Sequence, residues 1–525
     1  MTSAPPIVLP DPFNAAAYFI DRHIEEGRSA RVAIECGEVQ VSYRQLFERV
    51  NQAGNGLRNL GVRIEERVFL LLLDTPEFAV SFFGAIKIGA VPVPVNTLLK
   101  PADYAYLLND SRARVAIVSQ SLLSLVEASP RHLLHYLKTI VVVGDGPRAG
   151  EITLEELIQK SSPILDPEPT SKDDAAFWLY SSGSTGRPKA CVHLQHDMVV
   201  STERYAKGIL NISENDRCFS VAKLFFAYGL GNGLYFPLAV GATSILLPGP
   251  PKPQSVFEVI ERHRPTLFFS VPSNYSKLLS CPPPDGREFN LSGVRNAISA
   301  GEALPATVFF RFKERFGVEI LDAIGSTEAL HMIISNRPGA VRPGSSGRVI
   351  PGFDARIVDD NNRAVPQGQT GNLMVRADSV CACYWNQHEK TKDTIEGHWI
   401  RTGDKYYQDE DQYFWYAGRS DDMLKVSGVW ISPMEIESVL IEHPAVQEAA
   451  VIARTDQNGL IKPVACIVLR EGVSGTAELS VELQDFVVSR LPVFKRPHAV
   501  EFLPEFPKTA TGKLQRFKLR EIIAR

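Results

Sequence analysis

The sequence predicts an α/β protein in which a large N-terminal domain of helix-covered mixed sheets is followed by a small α+β C-terminal domain. Three observations lead there. Short continuous apolar runs alternate with amphipathic segments in the N-terminal part, as in parallel or mixed sheets covered by helices on both faces. At 525 residues the chain is too long for one ordinary core. After Gly418 a charged turn, Arg419-Ser420-Asp421-Asp422, gives way to a compact run of strand and helix patterns. The boundary is therefore placed between residues 1–420 and 421–525.

The first element is a helix. Ser42 and Gln45 form a capping box, and Leu46, Val50, Ala53 and Leu57 follow at helical spacing until Leu60-Gly61 closes the segment. Val68 to Leu73 is an apolar run ended by Asp74, and Thr75-Pro76 opens a helix that stops at Gly89. Val115 to Val118 and Ile140 to Val143 repeat the buried-strand pattern, and Phe177-Trp178-Leu179-Tyr180 reads as another strand. Leu224 to Pro251 carries no charge and is long enough to cross a bilayer, but Gly229, Gly231, Gly233, Gly241 and Pro237 punctuate it. That density of helix breakers predicts buried strands and turns around a pocket, and no membrane span.

Lys+Arg of 56 against Asp+Glu of 60 gives a net charge of -4, with no basic runs and no aromatic-basic interleaving, which argues against a nucleic-acid partner. The seven cysteines are scattered, and Cys381 and Cys383 form neither a CxxC pair nor a zinc knuckle; reduced thiols in a cytoplasmic protein are expected. Met1 to Pro12 has no signal-peptide pattern and Ile522-Ile523-Ala524-Arg525 is not a peroxisomal tripeptide, in keeping with that location.

The stretch richest in chemistry is Tyr180-Ser181-Ser182-Gly183-Ser184-Thr185-Gly186-Arg187-Pro188-Lys189. A strand runs into hydroxyls, into glycines that let backbone N–H groups turn toward an anion, and into two cations, a combination suited to a polyphosphate. It is not a Walker A loop, which needs four residues between its glycines and a Lys directly after the second. A flexible Gly/Ser surface loop is the bland alternative.

Read with Gly301-Glu302-Ala303-Leu304-Pro305, Ile324-Gly325-Ser326-Thr327-Glu328, Thr402-Gly403-Asp404, Gly418-Arg419-Ser420-Asp421-Asp422 and Pro507-Lys508-Thr509-Ala510-Thr511-Gly512-Lys513, that loop resembles the motif series of the acyl-adenylate-forming superfamily. The superfamily includes acyl-CoA synthetases, peptide-synthetase adenylation domains and firefly luciferase, and the resemblance spans nearly the full length. It implies a carboxylate activated by ATP to an acyl-adenylate with loss of pyrophosphate, then transferred to a thiol with loss of AMP. Such chemistry needs no protein nucleophile, only positioning and charge neutralisation by Lys, metal and backbone donors.

By the same resemblance Lys513 reaches the carboxylate and α-phosphate during adenylation and swings away for the thiol step, with Asp421 as the hinge of a mobile C-terminal domain. Glu328 would ligate Mg²⁺, with Thr185 beside it at the phosphates. Ser181, Ser182, Gly183, Ser184, Gly186, Lys189, Gly301, Glu302, Ala303, Asp322, Ile324, Gly325, Ser326 and Thr327 would surround the nucleotide, Asp404 would accept from the ribose hydroxyls, and Arg419 would contact the ribose or phosphate side. Two departures stand out: Ile324 where an aromatic usually stacks on adenine, and Ala190 where the wider family has Gly. The second implies that this backbone position is not left-handed.

Lys425, Ser427, Gly428 and Trp430 resemble the loop lining the pantetheine tunnel of coenzyme A, although a glycine bend between two strands reads equally well. Lys223 to Asn232 looks like the acyl-pocket segment of benzoate-CoA-ligase-type aryl-CoA synthetases. On that resemblance Phe226, Ala227, Tyr228, Gly301, Gly325, Ala329, His331 and Ile333 wall a flat slot for a small aromatic acid. Phe226 would make its gate steric, and His331 would either bond a ring substituent or be a satisfied wall residue. Benzoate, aminobenzoate and hydroxybenzoate stay open. The expected ligands are the acid, ATP, Mg²⁺ and CoA, for a monomer or homodimer. The alternatives are a stand-alone enzyme loading an aryl group onto a carrier protein, and a non-catalytic binding module, against which Lys513, Glu328, Asp404 and Arg419 argue.

Overall fold

The computed structural model describes residues 4–144, 152–181, 187–283, 286, 288–419, 424–426, 429–455, 461–508 and 514–523. Strands β1 (Val32–Cys36) and β2 (Val39–Ser42) form a hairpin leading into helix α1 (Tyr43–Asn59). The predicted capping box is present: Ser42 Oγ accepts from Gln45 N and Gln45 Oε1 from Ser42 N, while Gly61 leaves the helix at φ 82°.

The alternation predicted next also appears. β3 (Arg67–Leu71), α2 (Pro76–Lys87), β4 (Val91–Pro94), α3 (Pro101–Ser111), β5 (Val115–Ser119), β6 (Thr139–Val143) and β7 (Ile152–Thr153) build a parallel sheet in the order β4-β3-β5-β6-β7. β5 is buried at every position, which explains its unbroken apolar run. A cleft of about 450 Å³ opens at the C-terminal ends of β3, β5 and β6, lined by Leu73, Thr75, Ser119 and Ser121 among others, and holds none of the predicted site residues.

β8 (Ala175–Ser181) and β9 (Lys189–Leu194) pair antiparallel, and β10 (Arg217–Ser220) follows. Leu224 to Pro251 departs from expectation. Ala227–Leu230, a wider π-type turn over Gly231–Tyr235 and Phe236–Val240 make one helical run, and only β11 (Thr243–Leu246) is a strand. A segment apolar on all sides has no periodicity to separate buried helix from buried strand. Its glycines serve close packing: a Cβ on Gly229 would stand 2.1 Å from the Lys223 carbonyl oxygen, and one on Gly231 2.5 Å from the His331 ring. Among the described residues no helix is long and apolar enough to cross a membrane.

β12 (Leu267–Ser270), β13 (Asn296–Ser299), β14 (Ile320–Gly325), β15 (Met332–Ser335) and β16 (Arg348–Val349) complete a second sheet. Among the described residues it has nine strands, ordered β16-β15-β14-β13-β12-β10-β11-β1-β2, parallel from β14 to β1 and antiparallel at its edges. The main hydrophobic core contains Phe19, Phe82, Phe177, Leu234 and Phe269, each wholly buried and worth about 1.5–3 kcal/mol of transfer free energy.

β17 (Asp354–Val358), β18 (Gly371–Arg376), β19 (Cys383–Tyr384), β20 (Ile395–Glu396), β21 (Trp399–Gln408) and β22 (Phe414–Arg419) come next. β19 joins β9, so Tyr384 lies opposite Cys191, and the other five make an antiparallel sheet. The C-terminal domain follows. β23 (Leu424–Val426) and β24 (Val429–Ile431) form a hairpin, and α4 (Pro433–Ile441) and α5 (Ala477–Val488) pack with β25 (Val446–Thr455), β26 (Ile461–Leu469) and β27 (Ala499–Phe502) around a separate core. Helix α6 (Arg516–Ile523) closes it.

Candidate active site

The ladder between β8 and β9 places Ser181 opposite Lys189, so the described residues on either side of 182–186 run side by side. Ser182, Gly183, Ser184, Thr185 and Gly186 themselves lie outside the described residues. Helix α3 pins both sides. Before residue 182, the Tyr180 hydroxyl donates to Asp110 Oδ2 at 2.6 Å; after residue 186, the Tyr106 hydroxyl donates to the Pro188 carbonyl at 3.1 Å and Arg187 lies 5.1 Å over the Tyr106 ring. Burial first, and then the Asp110 charge, push the Tyr180 phenol well above its ordinary range, so it stays a donor. Ala190 follows in extended conformation, as its difference from Gly implied.

Three side chains converge on Glu328 Oε1: the Tyr384 hydroxyl at 2.7 Å, Lys189 Nζ at 3.4 Å and Ser181 Oγ at 3.5 Å. Lys189 also lies 3.7 Å from the Tyr384 ring centroid. Burial raises the Glu328 pKa, but the Lys189 charge and the Tyr384 hydrogen bond together outweigh it, holding the carboxyl below its ordinary range. Among the described residues no cluster of three or more His, Cys, Asp or Glu side chains could cage a metal. A single ionised carboxylate beside a lysine and a serine hydroxyl nevertheless fits Mg²⁺, which keeps waters and leans on substrate phosphates.

The turn bearing Glu328 is tied from several directions. Buried His193 stands between Asp197 Oδ2 at 2.8 Å and the Thr327 carbonyl at 2.9 Å, with Phe177 stacked on its ring at 5.1 Å. Cys381 N donates to the Glu328 carbonyl at 2.7 Å, Ser379 Oγ to that of Ala329 at 2.9 Å, and Ala329 N to Ser326 Oγ at 3.2 Å. Leu330 takes φ 68°, a left-handed conformation that these bonds sustain in a non-glycine residue.

Asp404 and Arg419 are register partners on β21 and β22, and Arg419 Nη1 donates to Asp404 Oδ1 at 3.1 Å and to the Thr402 carbonyl at 3.0 Å. Gly403 has φ 78°, and a Cβ there would come within 2.7 Å of Arg419 Nη2.

Of the residues expected to wall the acid, Tyr228 and His331 lie together. The Tyr228 hydroxyl faces the Ser270 and Ile298 carbonyls at 3.2 and 3.1 Å, beside the C-terminal ends of β12 and β13. His331 packs with Tyr205, Tyr228 and Phe236 at ring separations of 5.4, 5.8 and 4.5 Å, and its Nε2 is 3.1 Å from Asn232 Oδ1. Burial drives the imidazole down to about 3, so it is neutral at ordinary pH. The His331 ring also interacts with the Tyr228 backbone, and the Asn232 amide with the Tyr228 side chain. Gly325 passes against the His331 backbone, where a Cβ would meet the carbonyl oxygen at 2.3 Å. Phe226 precedes the helical run with its ring edge-on to Phe225, while Ala227, Ala329 and Ile333 are buried in the main core with Ile324 at its margin.

Gly301, at φ 91°, leads from β13 into Glu302 and Ala303, which are half-buried. Asp322 is buried on β14; desolvation pushes its carboxyl up to about 8, against a weaker downward pull from Ser299 and the Leu304 and Ala323 N–H groups. Thr185, Lys513, Asp421, Ser427 and Gly428 lie outside the described residues, as do the side chains of Lys425 and Trp430, whose backbones pair between β23 and β24. Sequence reasoning missed Tyr384, His193, Asp197 and Asp110. Tyr384, His193 and Asp110 act across the tertiary fold, Asp197 acts on His193 four residues before it, and none carries a recognised motif.

The chain matches the family model described as AMP-binding enzyme over residues 20–385 and that described as AMP-binding enzyme C-terminal domain over residues 435–513. It is 47% identical over 520 residues to benzoate–CoA ligase of Thauera aromatica, covering 98% of this chain and 97% of that protein. It is 43% identical to 4-hydroxybenzoate–CoA/benzoate–CoA ligase of Rhodopseudomonas palustris, covering 97% and 94%. Among solved structures, the anthranilate CoA ligase AuaEII in complex with anthranoyl-AMP superposes with a TM-score of 0.94 at 43% identity, covering 98% of each chain.

Proposed function

The chain belongs to the AMP-binding enzyme family, and from that premise we propose how its residues divide the work of an aryl-CoA ligase. The protein is an AMP-forming acid–thiol ligase using ATP, Mg²⁺ and CoA, and it makes an aryl-CoA through an aryl-adenylate. The carboxylate oxygen bonds to the α-phosphorus as the bond to pyrophosphate breaks. The thiol sulfur then bonds to the acyl carbon as AMP leaves, with the thiol proton released.

The observation that carries the assignment of residues is the convergence of Ser181, Lys189 and Tyr384 on Glu328, where the β8–β9 ladder flanks residues 182–186. An ionised Glu328 is a hard oxygen donor for Mg²⁺, which when bound neutralises phosphate charge. Lys189 and the 182–186 segment would hold the phosphates, with Thr185 near the metal. Asp404 would accept from the ribose hydroxyls and Arg419, against it, would fix its orientation. Gly301 to Ala303, Asp322 and Ile324 to Thr327 would border the nucleotide. Lys513 would serve adenylation only, with residues 421–525 turning about Asp421 so that Lys425, Ser427, Gly428 and Trp430 line the thiol path.

For the acid we propose a benzoate bearing at most a small polar substituent. The relatives include enzymes named for benzoate and 4-hydroxybenzoate, and the structural neighbour holds anthranoyl-AMP. The polar nitrogens of His331 and Asn232 beside Tyr228 favour a ring hydroxyl or amino group over an all-apolar ring. Seven free cysteines accord with a cytoplasmic setting.

Mass spectrometry after incubation with ATP, Mg²⁺, CoA and a competing mixture of benzoate, aminobenzoates, hydroxybenzoates, cinnamates and fatty acids tests this reading. A dominant benzoate-class thioester is expected. Acyl-AMP accumulating without thioester would point to a carrier-protein acceptor instead.

A further inference from the structure

The segment from Lys223 to Asn232 starts at a lysine held from three sides. Lys223 Nζ donates to the Leu247 and Gly249 carbonyls at 2.5 and 2.7 Å and lies 3.5 Å from Asp74 Oδ2, and the Lys223 and Asp74 side chains are only 17% and 5% exposed. An ammonium has three N–H groups, and three acceptors meet them here. Leu247 and Gly249 follow β11 in the large sheet, whereas Asp74 follows β3 in the other parallel sheet, so these contacts join the exits of two sheets to the chain leaving β10.

Asp74 also fixes the next residue, its Oδ1 accepting from Leu224 N at 3.2 Å. Burial raises the Asp74 carboxyl to about 6, against the downward pull of the Lys223 charge and the Leu224 N–H, so it is ionised above neutral pH. The turn anchored in this way packs directly under the helical run that bears Tyr228. Phe226 N donates to the Lys223 carbonyl at 3.0 Å, and a Cβ on Gly229 would stand 2.4 Å from the Ala222 carbonyl oxygen as well as 2.1 Å from that of Lys223. Backbone meets backbone there, with no side chain to absorb a shift.

We propose that Lys223, paired with Asp74, is a positioning residue for the aromatic acid: it sets where the helical run begins and hence where Tyr228 stands beside His331. This rests on the reading of Tyr228 and His331 as walls of the acid slot. The ammonium is spent on Asp74 and two carbonyls, so Lys223 acts through the backbone and not by touching the acid. The groups proposed for ATP stand on or beside β8, β9, β14, β21 and β22, none of which these contacts join. Loss of the anchor therefore falls on the acid, whereas general weakening of the domain would fall on acid and nucleotide alike.

The test uses the full chain above neutral pH with Lys223→Met, which keeps the stem and loses the ammonium, and Asp74→Asn, which keeps an acceptor for the Leu224 N–H and loses the charge. Benzoate-dependent pyrophosphate exchange gives the KM for benzoate and the KM for ATP. The KM for benzoate should rise about 10-fold in Lys223→Met and about 3-fold in Asp74→Asn, while the KM for ATP stays within about twofold of wild type. An unchanged KM for benzoate, or equal rises for benzoate and ATP, overturns the proposal. Thermal unfolding identifies a variant that fails to fold, in which case the milder Asp74→Asn decides. Tyr228→Ala separates the proposal from the reading beneath it. An unchanged KM for benzoate in that variant overturns the acid slot itself, whereas a raised value there beside an unchanged one in Lys223→Met overturns only the role of Lys223.

Discussion

The Tyr384 hydroxyl stands 2.7 Å from Oε1 of Glu328 across a separation of 56 residues, because β19 adds to the edge of β9 and delivers Tyr384 beside the β8–β9 ladder. The phenol is itself pushed to higher pKa by burial and by the Glu328 charge, so it donates to the carboxylate and keeps its proton. Tyr384→Phe should slow adenylation about 10-fold or more, the worth of one charge-assisted hydrogen bond. The sign with pH follows: Glu328 works ionised, its pKa is held low, and activity is lost as pH falls through that value. Without Tyr384 the value rises, so the acid limb of the pyrophosphate-exchange profile should move to higher pH. An unmoved limb would argue against this role.

Asp110 holds Tyr180 at the entrance to residues 182–186. Asp110→Ala leaves the half-buried Tyr180 hydroxyl without its partner at a cost of about 1 kcal/mol and should raise the KM for ATP several-fold. The KM for the acid serves as the control, and an equal rise there would mean general loosening.

Lys513→Ala should abolish adenylate formation and leave thioester formation from supplied aryl-adenylate nearly intact. Asp421→Pro should do the reverse by stiffening the proposed hinge. Parallel rates in the two half-reactions, for either variant, would remove the case for domain alternation.

His331→Leu should change the selectivity between hydroxy- or aminobenzoate and benzoate by about 10-fold, read as a ratio of kcat/KM values. Since burial depresses the imidazole to about 3, the wild-type ratio should stay flat from about pH 6 to about pH 9. A step in the ratio near pH 6.5 would show a titrating ring (the ordinary histidine value is about 6.5).

Asp322 gives a stability prediction. Its folded value is about 8 against about 3.9 in an unfolded chain. Between them the unfolded chain has released a proton that the native chain keeps, so stability falls as pH rises through this window and levels off above it. Asp322→Asn should flatten that slope and raise Tm at about pH 9 more than at about pH 5. Calorimetry on both proteins at the two pH values checks it.

Local chemistry made much of the fold readable. The helix from Tyr43 announced itself through Ser42 and Gln45 because a capping box is satisfied within one turn. The strands Val115–Ser119, buried throughout, and Thr139–Val143, buried in part, were visible because a strand covered on both faces is a nearly unbroken apolar run. The same logic failed at Ala227–Val240, where burial on every side erases the period that separates helix from strand.

By itself the sequence determined the alternating architecture, the family motifs, and Ser181, Lys189, Glu328, Asp404, Arg419 and His331 as candidates. Glycines, hydroxyls and charges at short spacing carry their chemistry with them. Only the tertiary structure decided that Tyr384 and Lys189 share one carboxylate oxygen, that Asp110 holds Tyr180 across 70 residues, and that His193 supports Thr327 across 134. Those partners meet through strand pairing and helix packing between segments remote in sequence, and a hydrogen bond made across a fold leaves no pattern in the residues next to it.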